Sequence, residues 1–109
     1  MKTLDDTQQE HKRWAEHNFP NATREHAFLG MVEELGELAH VRLKLSQKIR
    51  EGTLDDTPAL EKDAIGDLLI FTMHYCNLSG WKMSEILQET WDEVSSRDWV
   101  TFPKNGVSE

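Results

Sequence analysis

A chain of 109 residues makes one domain, with room for a modest core but not for a deep, enclosed active site. Its formal charge of −8, from 20 acidic against 12 basic side chains, argues against nucleic-acid binding through a general basic surface and fits a protein that gathers cations before meeting a phosphate ligand. The single Cys76 lies in an apolar stretch, which excludes an intrachain disulfide and points to a reduced, intracellular setting where it simply packs.

The opening residues Met1 to Asp6 lack the apolar core of a signal peptide, and the longest apolar run, Leu68 to Phe71, is far too short to span a bilayer. A cytoplasmic location and no membrane partner are expected. Prolines and glycines divide the chain into helical stretches with no alternating strand pattern and no internal repeat, so the expected class is all-α, a bundle of four helices. The whole chain reads as a single domain, with a core over about 14–99 and a tail at 100–109.

The first stretch, about Leu4 to His17, is polar, with too few apolar residues to be buried, and stops at the Asn18-Phe19-Pro20-Asn21 turn. The second runs from Thr23, a plausible N-cap, to Arg50, with Gly52 as its stop. Its apolar residues, from Phe28 through Leu35 and Leu43 to Ile49, cover well over half the helical circumference, more than one neighbouring helix usually buries. The third starts with Thr57 as N-cap and Pro58 at the first helical position, and ends near Leu78 before Ser79-Gly80. From Ile65 onward it is apolar nearly all round, which predicts the centre of a bundle with Asp67 entering that core from one end. The fourth begins at Ser84, with Glu85 in its first turn, and reaches about Arg97. Trp99 to Glu109, with Pro103 and Gly106, is a tail that docks through Trp99 and Phe102 or frays.

Two acidic clusters, Glu33-Glu34-Leu35-Gly36-Glu37 and Asp63-Ala64-Ile65-Gly66-Asp67, adjoin apolar helical runs. Residues three or four apart share a helix face, so Glu34 with Glu37, Glu33 with Glu37, and Asp63 with Asp67 each point one way. Packed antiparallel, the two helices bring these carboxylates together, and like charges at this spacing cost roughly 0.2–0.5 kcal/mol per pair unless neutralised. A hard divalent cation is the simplest neutraliser: Mg2+, held by a few carboxylates and completed by the phosphates of a nucleoside triphosphate, with Mn2+ as a substitute. The competing reading is a solvated acidic face, since Glu33 and Glu37 share an arc with Lys44 and Lys48. Burial of Asp67 beside Leu68 to Phe71 favours the metal, because an unpaired buried carboxylate costs several kcal/mol, of order 3–5.

The run Val32-Glu33-Glu34-Leu35-Gly36-Glu37-Leu38-Ala39, a spacer, then Asp63-Ala64-Ile65-Gly66-Asp67-Leu68-Leu69-Ile70-Phe71 resembles the MazG-type all-α nucleoside triphosphate pyrophosphohydrolases over roughly Trp14 to Trp99. That family's pattern is Glu-x-x-Glu, a spacer, then Glu-x-x-Asp. The resemblance implies Mg2+ on those acids, cleavage of a nucleoside triphosphate to monophosphate and pyrophosphate, and assembly as a homodimer or homotetramer. Glu34, Glu37 and Asp67 match the pattern. Ala64 stands where the third acid is expected, and Asp63, still on the same side of the helix, is taken as its substitute, so the implied metal ligands are Glu34, Glu37, Asp63 and Asp67. Glu33 or Glu37 would orient the attacking water.

In the resembling family the region Trp14 to Phe19 helps form the base pocket. Trp14 and Phe19 offer stacking surfaces and His17 or Asn18 can read a base edge, although either aromatic could equally staple against the next helix. His74 and Asn77 follow Asp67 on its helix and either order water or contact substrate, or simply bond to a neighbour. Lys44, Lys48, Arg50 and Arg97 are the cations available to phosphates, unless they only solvate helix ends. No nucleophilic Ser, Cys or Lys arrangement and no glycine-rich phosphate loop competes. The alternatives are a non-catalytic nucleotide- or partner-binding module whose metal site Ala64 has degraded, and an acidic decoy for a basic partner.

Overall fold

Thr3 and Asp6 begin the first helix with a reciprocal cap: the Thr3 hydroxyl accepts from the Asp6 N–H at 3.1 Å and the Asp6 carboxylate accepts from the Thr3 N–H at 2.9 Å. Each such cap is worth about 1 kcal/mol. In the computed structural model, which describes residues 1–48 and 57–109, the described residues form four helices and no strand. These are α1 (Leu4–Asn18), α2 (Arg24–Gln47), α3 (Thr57–Ser79) and α4 (Met83–Ser95). The class is all-α, as the sequence predicts.

Thr23 caps α2 through the same device, its hydroxyl accepting from the His26 N–H at 3.2 Å. The helix ends earlier than Arg50: Lys48 takes a left-handed conformation, φ 54°, and stops it after Gln47. Arg50 and Gly52 lie outside the described residues. Thr57 is the first described residue of α3 rather than a described cap, and the turn before it is likewise outside. The α3 terminus is well defined. Gly80, φ +77°, lets its own N–H reach the Asn77 carbonyl and the Trp81 N–H reach the Cys76 carbonyl at 2.9 Å, so two end carbonyls are satisfied.

α2 and α3 pack antiparallel as the main pair. Arg24 bonds to the Tyr75 hydroxyl at 2.9 Å near one end, Gly30 faces Phe71 in the middle, and Arg42 reaches Glu61 at 3.2 Å near the other. The Arg24 guanidinium also lies 5.0 Å from the Tyr75 ring centre and 5.4 Å from that of Trp81. α1 crosses α3, and α4 rests on α1.

Several expectations are corrected. Polar α1 is packed after all: Gln8, His11 and Ala15 are buried, the first two through hydrogen bonds rather than apolar contact. α4 starts one residue before Ser84, with Lys82 as a cap that lacks a side-chain bond, while the Ser84 hydroxyl bonds to Asp5. The middle of α3 is not enclosed in the single chain; Ala64, Met73, His74 and Cys76 are buried, but Ile65, Leu69 and Ile70 are exposed and so is Asp67. The tail does not fray but closes on itself: the Asp98 N–H donates to the Gly106 carbonyl at 2.7 Å, the Gly106 N–H to that of Phe102, and Gly106 sits against Arg97 and Trp99.

The open packing has a measurable size. The chain exposes 8620 Å2, against about 6200 Å2 for a compact protein of its mass. Its radius of gyration is 17.9 Å, against about 13 Å for a compact domain of this length. Much of the surplus is apolar: Phe28, Leu29, Val32 and Leu35 on α2 all stand more than half exposed, and α4 buries no residue at all.

Candidate active site

The antiparallel register of α2 and α3 sets Glu34 opposite Asp67 and Glu37 opposite the Asp63-Ala64 step, because Gly30 already faces Phe71 and equal steps run in opposite directions. The two clusters therefore meet. Glu33, Glu34 and Glu37 from α2 and Asp63 and Asp67 from α3 line one cleft of about 300 Å3, completed by Val41, Leu60 and Ala64. Ala64 is the buried floor, so the short side chain at this position leaves space where an acid is absent.

Among the described residues nothing basic lines this cleft, and none of its five acids has an ion-pair or hydrogen-bond partner. Burial, then the charges of Asp67, Glu33 and Glu37, push the Glu34 carboxyl above its ordinary range. As the side chains stand, no three His, Cys, Asp or Glu groups among the described residues are close enough to hold a metal ion between them. The donor set is nonetheless all oxygen and unneutralised, the chemistry that suits Mg2+.

A second concavity opens one to two turns further along α3. It is a largely apolar cavity of about 650 Å3 walled by Trp14, Asn18 and Phe19 from α1 and its turn, His26 from α2, and Ile70, Phe71 and His74 from α3, with His11 at its side. The Trp14 and Phe19 rings meet edge to face at 5.6 Å, and the His11 and His74 rings at 5.2 Å. From Asp67 to His74 is about 10 Å along the helix axis. The aromatic cavity and the acidic cleft are thus neighbouring stations on one helix pair.

The structure separates the remaining expected residues. Trp14, Asn18, Phe19 and His74 reach the cavity, whereas His17 is exposed and outside its lining. Asn77 is taken up by α1: its amide donates to the Gln8 carbonyl at 3.1 Å and meets His11 Nδ1 at 3.1 Å. Lys48 is exposed at the end of α2, and Arg97 pairs with Glu93 at 3.1 Å beside the tail; neither lines the cleft. Lys44 reaches Gln47 rather than Glu33 or Glu37. His11, His26 and Phe71 also line the cavity without standing out in the sequence, where the available signal was His11 one turn before Trp14 on a polar helix.

No protein-family model, curated protein or solved structure matches the chain. No helix among the described residues is long and apolar enough to cross a membrane.

Proposed function

We propose that this chain is a Mg2+-dependent nucleoside triphosphate pyrophosphohydrolase of the MazG-like kind. The observation that carries the reading is the convergence of five unpaired carboxylates from α2 and α3 in one cleft, next to an aromatic cavity on the same two helices. The base lies in the cavity and the triphosphate runs along α3 toward the acids. Glu34, Glu37, Asp63 and Asp67 would hold Mg2+, which would neutralise phosphate charge and favour a nucleophilic water. Exposed and free of hydrogen bonds, Glu33 and Glu37 are unhindered in turning toward a cation or a water. One of them orients the water and accepts its proton as its oxygen bonds to the α-phosphorus. The bond from that phosphorus to the bridging oxygen breaks, and pyrophosphate leaves with the electron pair. Positioning and charge neutralisation supply most of the rate.

The same proposal includes a second copy of the chain. The excess surface, roughly 2400 Å2 over a compact protein of this mass, is of the size that obligate dimers bury, and the exposed face of α2 is apolar as such interfaces are. A homodimer or homotetramer would cover it and enclose Asp67.

Ala64 favours a second reading, a nucleotide-binding module without turnover. A Mg2+-dependent product assay across ribo- and deoxynucleoside triphosphates separates the two. Pyrophosphate and monophosphate that disappear with EDTA, and in Glu37→Ala and Asp67→Ala, support the enzyme; a folded protein that binds nucleotides but releases no pyrophosphate supports the module.

A further inference from the structure

His11 is buried to nine-tenths yet lines the aromatic cavity, and its proton is placed by a chain of bonds that begins at the backbone. The Met83 N–H donates to Gln8 Oε1 at 2.8 Å, and Gln8 Nε2 donates to the Trp81 carbonyl at 2.8 Å. These two partners fix which end of the Gln8 amide is oxygen. Gln8 Nε2 also donates to Asn77 Oδ1 at 2.9 Å, so the other end of Asn77 is its NH2 group, which donates to the Gln8 carbonyl and, at 3.1 Å, to His11 Nδ1. His11 Nδ1 must therefore be the bare, accepting nitrogen, and the ring proton sits on Nε2.

That Nε2–H has no partner among the described residues, and the only sealed side-chain nitrogen without a partner among them is His74 Nδ1, so His11 Nε2 meets open space. The concavity that the His11 ring borders is the aromatic cavity. His26, at the α2 side of the same cavity, is set alike: its Nδ1 accepts from the Thr23 N–H at 3.4 Å, which leaves its proton on Nε2 as well. His74, the ionisable group facing His11 from α3, is held toward its neutral form by burial, as is His11. Among the described residues the wall thus offers neutral N–H donors between aromatic faces, and no Lys or Arg.

We propose that the Gln8–Asn77 relay locks His11 as a neutral Nε2–H donor, and that this donor faces the pyrimidine C4 or purine C6 position and selects a base with a carbonyl there, uracil or guanine, over the base with an amino group there, cytosine or adenine. This rests on the reading of the cavity as a base site. An amino group facing His11 Nε2–H sets donor against donor and leaves both without a partner in the largely apolar wall. His11 is then a specificity residue, and Gln8 and Asn77 are positioning residues.

The test uses the full chain without metal, and free nucleosides rather than triphosphates, so that it does not depend on hydrolysis. Imidazole nitrogen-15 spectra of the unliganded wild type at pH 7.5 should show His11 with a protonated Nε2 and a bare Nδ1. Uridine or guanosine should shift the His11 signals and bind roughly ten-fold or more tightly than cytidine or adenosine respectively. Asn77→Asp replaces the donor facing Nδ1 by an acceptor: a ring that stays neutral should carry its proton on Nδ1, leave Nε2 bare and lose the preference, whereas a ring that charges keeps its Nε2–H and with it the preference. A bare Nε2 in the wild type overturns the proposal, as does equal binding of keto and amino nucleosides or no nucleoside binding; these need no variant to fold. Keto-selective binding with no pyrophosphate release from any triphosphate leaves this inference standing and removes the enzymatic reading. Hydrolysis without base preference does the reverse.

Discussion

α2 approaches α3 closely at Gly30, where a β-carbon would stand 2.7 Å or less from three atoms of the Phe71 ring. Carbon atoms in contact normally lie about 3.5–4.0 Å apart, so in Gly30→Ala the ring must retreat by roughly 1 Å. Forcing such a shift in a packed helix pair costs roughly 1–3 kcal/mol, while alanine regains about 1 kcal/mol of helix propensity. The expected net loss is about 0–2 kcal/mol, too small to interpret alone, so the pairwise coupling is the quantity to measure. Urea unfolding of wild type, Gly30→Ala, Phe71→Leu and the double variant, all at one chain concentration, should give a favourable coupling of about 1–2 kcal/mol, because the smaller leucine side chain accepts the new methyl. Phe71 also walls the aromatic cavity, so Gly30→Ala should weaken nucleoside binding even where it spares stability. Additive effects on unfolding, with coupling below about 0.3 kcal/mol, would refute the close approach.

Other outcomes follow from the cleft and the relay. Asp63→Ala should raise the Mg2+ requirement steeply, and an unchanged metal titration removes Asp63 from the ligand set; Ala64→Glu should lower that requirement, measured by the same titration. Glu34→Gln should raise the melting temperature in EDTA, since it removes a charge that burial and its neighbours disfavour; a fall would show that the ionised Glu34 is stabilising. His11 and His74 titrate below their ordinary value of 6.5 in the folded chain, so the unfolded chain binds more protons as pH falls. Their contribution to stability is therefore complete above about pH 6.5 and is lost as pH drops toward the lowered folded values, a slope that denaturant titrations should detect and that should shrink in His11→Phe. Light scattering should return two or four chain masses, and a strictly monomeric mass counts against the assembly.

Helix ends and the acidic convergence were legible in the sequence because they depend on near neighbours: Thr23 and Gly80 act within one turn, and the spacing of Glu33, Glu34 and Glu37 fixes their face. What failed to show depends on partners far along the chain. Ser84 reads as the start of the fourth helix, but the orphan Met83 N–H is satisfied by Gln8, 75 residues away, and the Ser84 hydroxyl is occupied by Asp5. α1 reads as a solvated helix, yet Gln8 and His11 are buried because Asn77 and two backbone groups complete their bonds. The expected burial of Asp67 assumed neighbours on every side of α3; among the described residues one chain supplies chiefly α2 and α1.

The Gln8 clamp also orders events during synthesis. α1 is synthesised well before the groups that Gln8 and His11 require, Asn77, the Trp81 carbonyl and the Met83 N–H, which lie 66 to 75 residues downstream. The α2–α3 hairpin, whose contacts are nearer in sequence, can close while α1 is still without its partners. The aromatic cavity, which needs α1 against α3, therefore takes its locked form only once the chain has been translated through Met83, and no truncated product that ends before α4 can present it in that form.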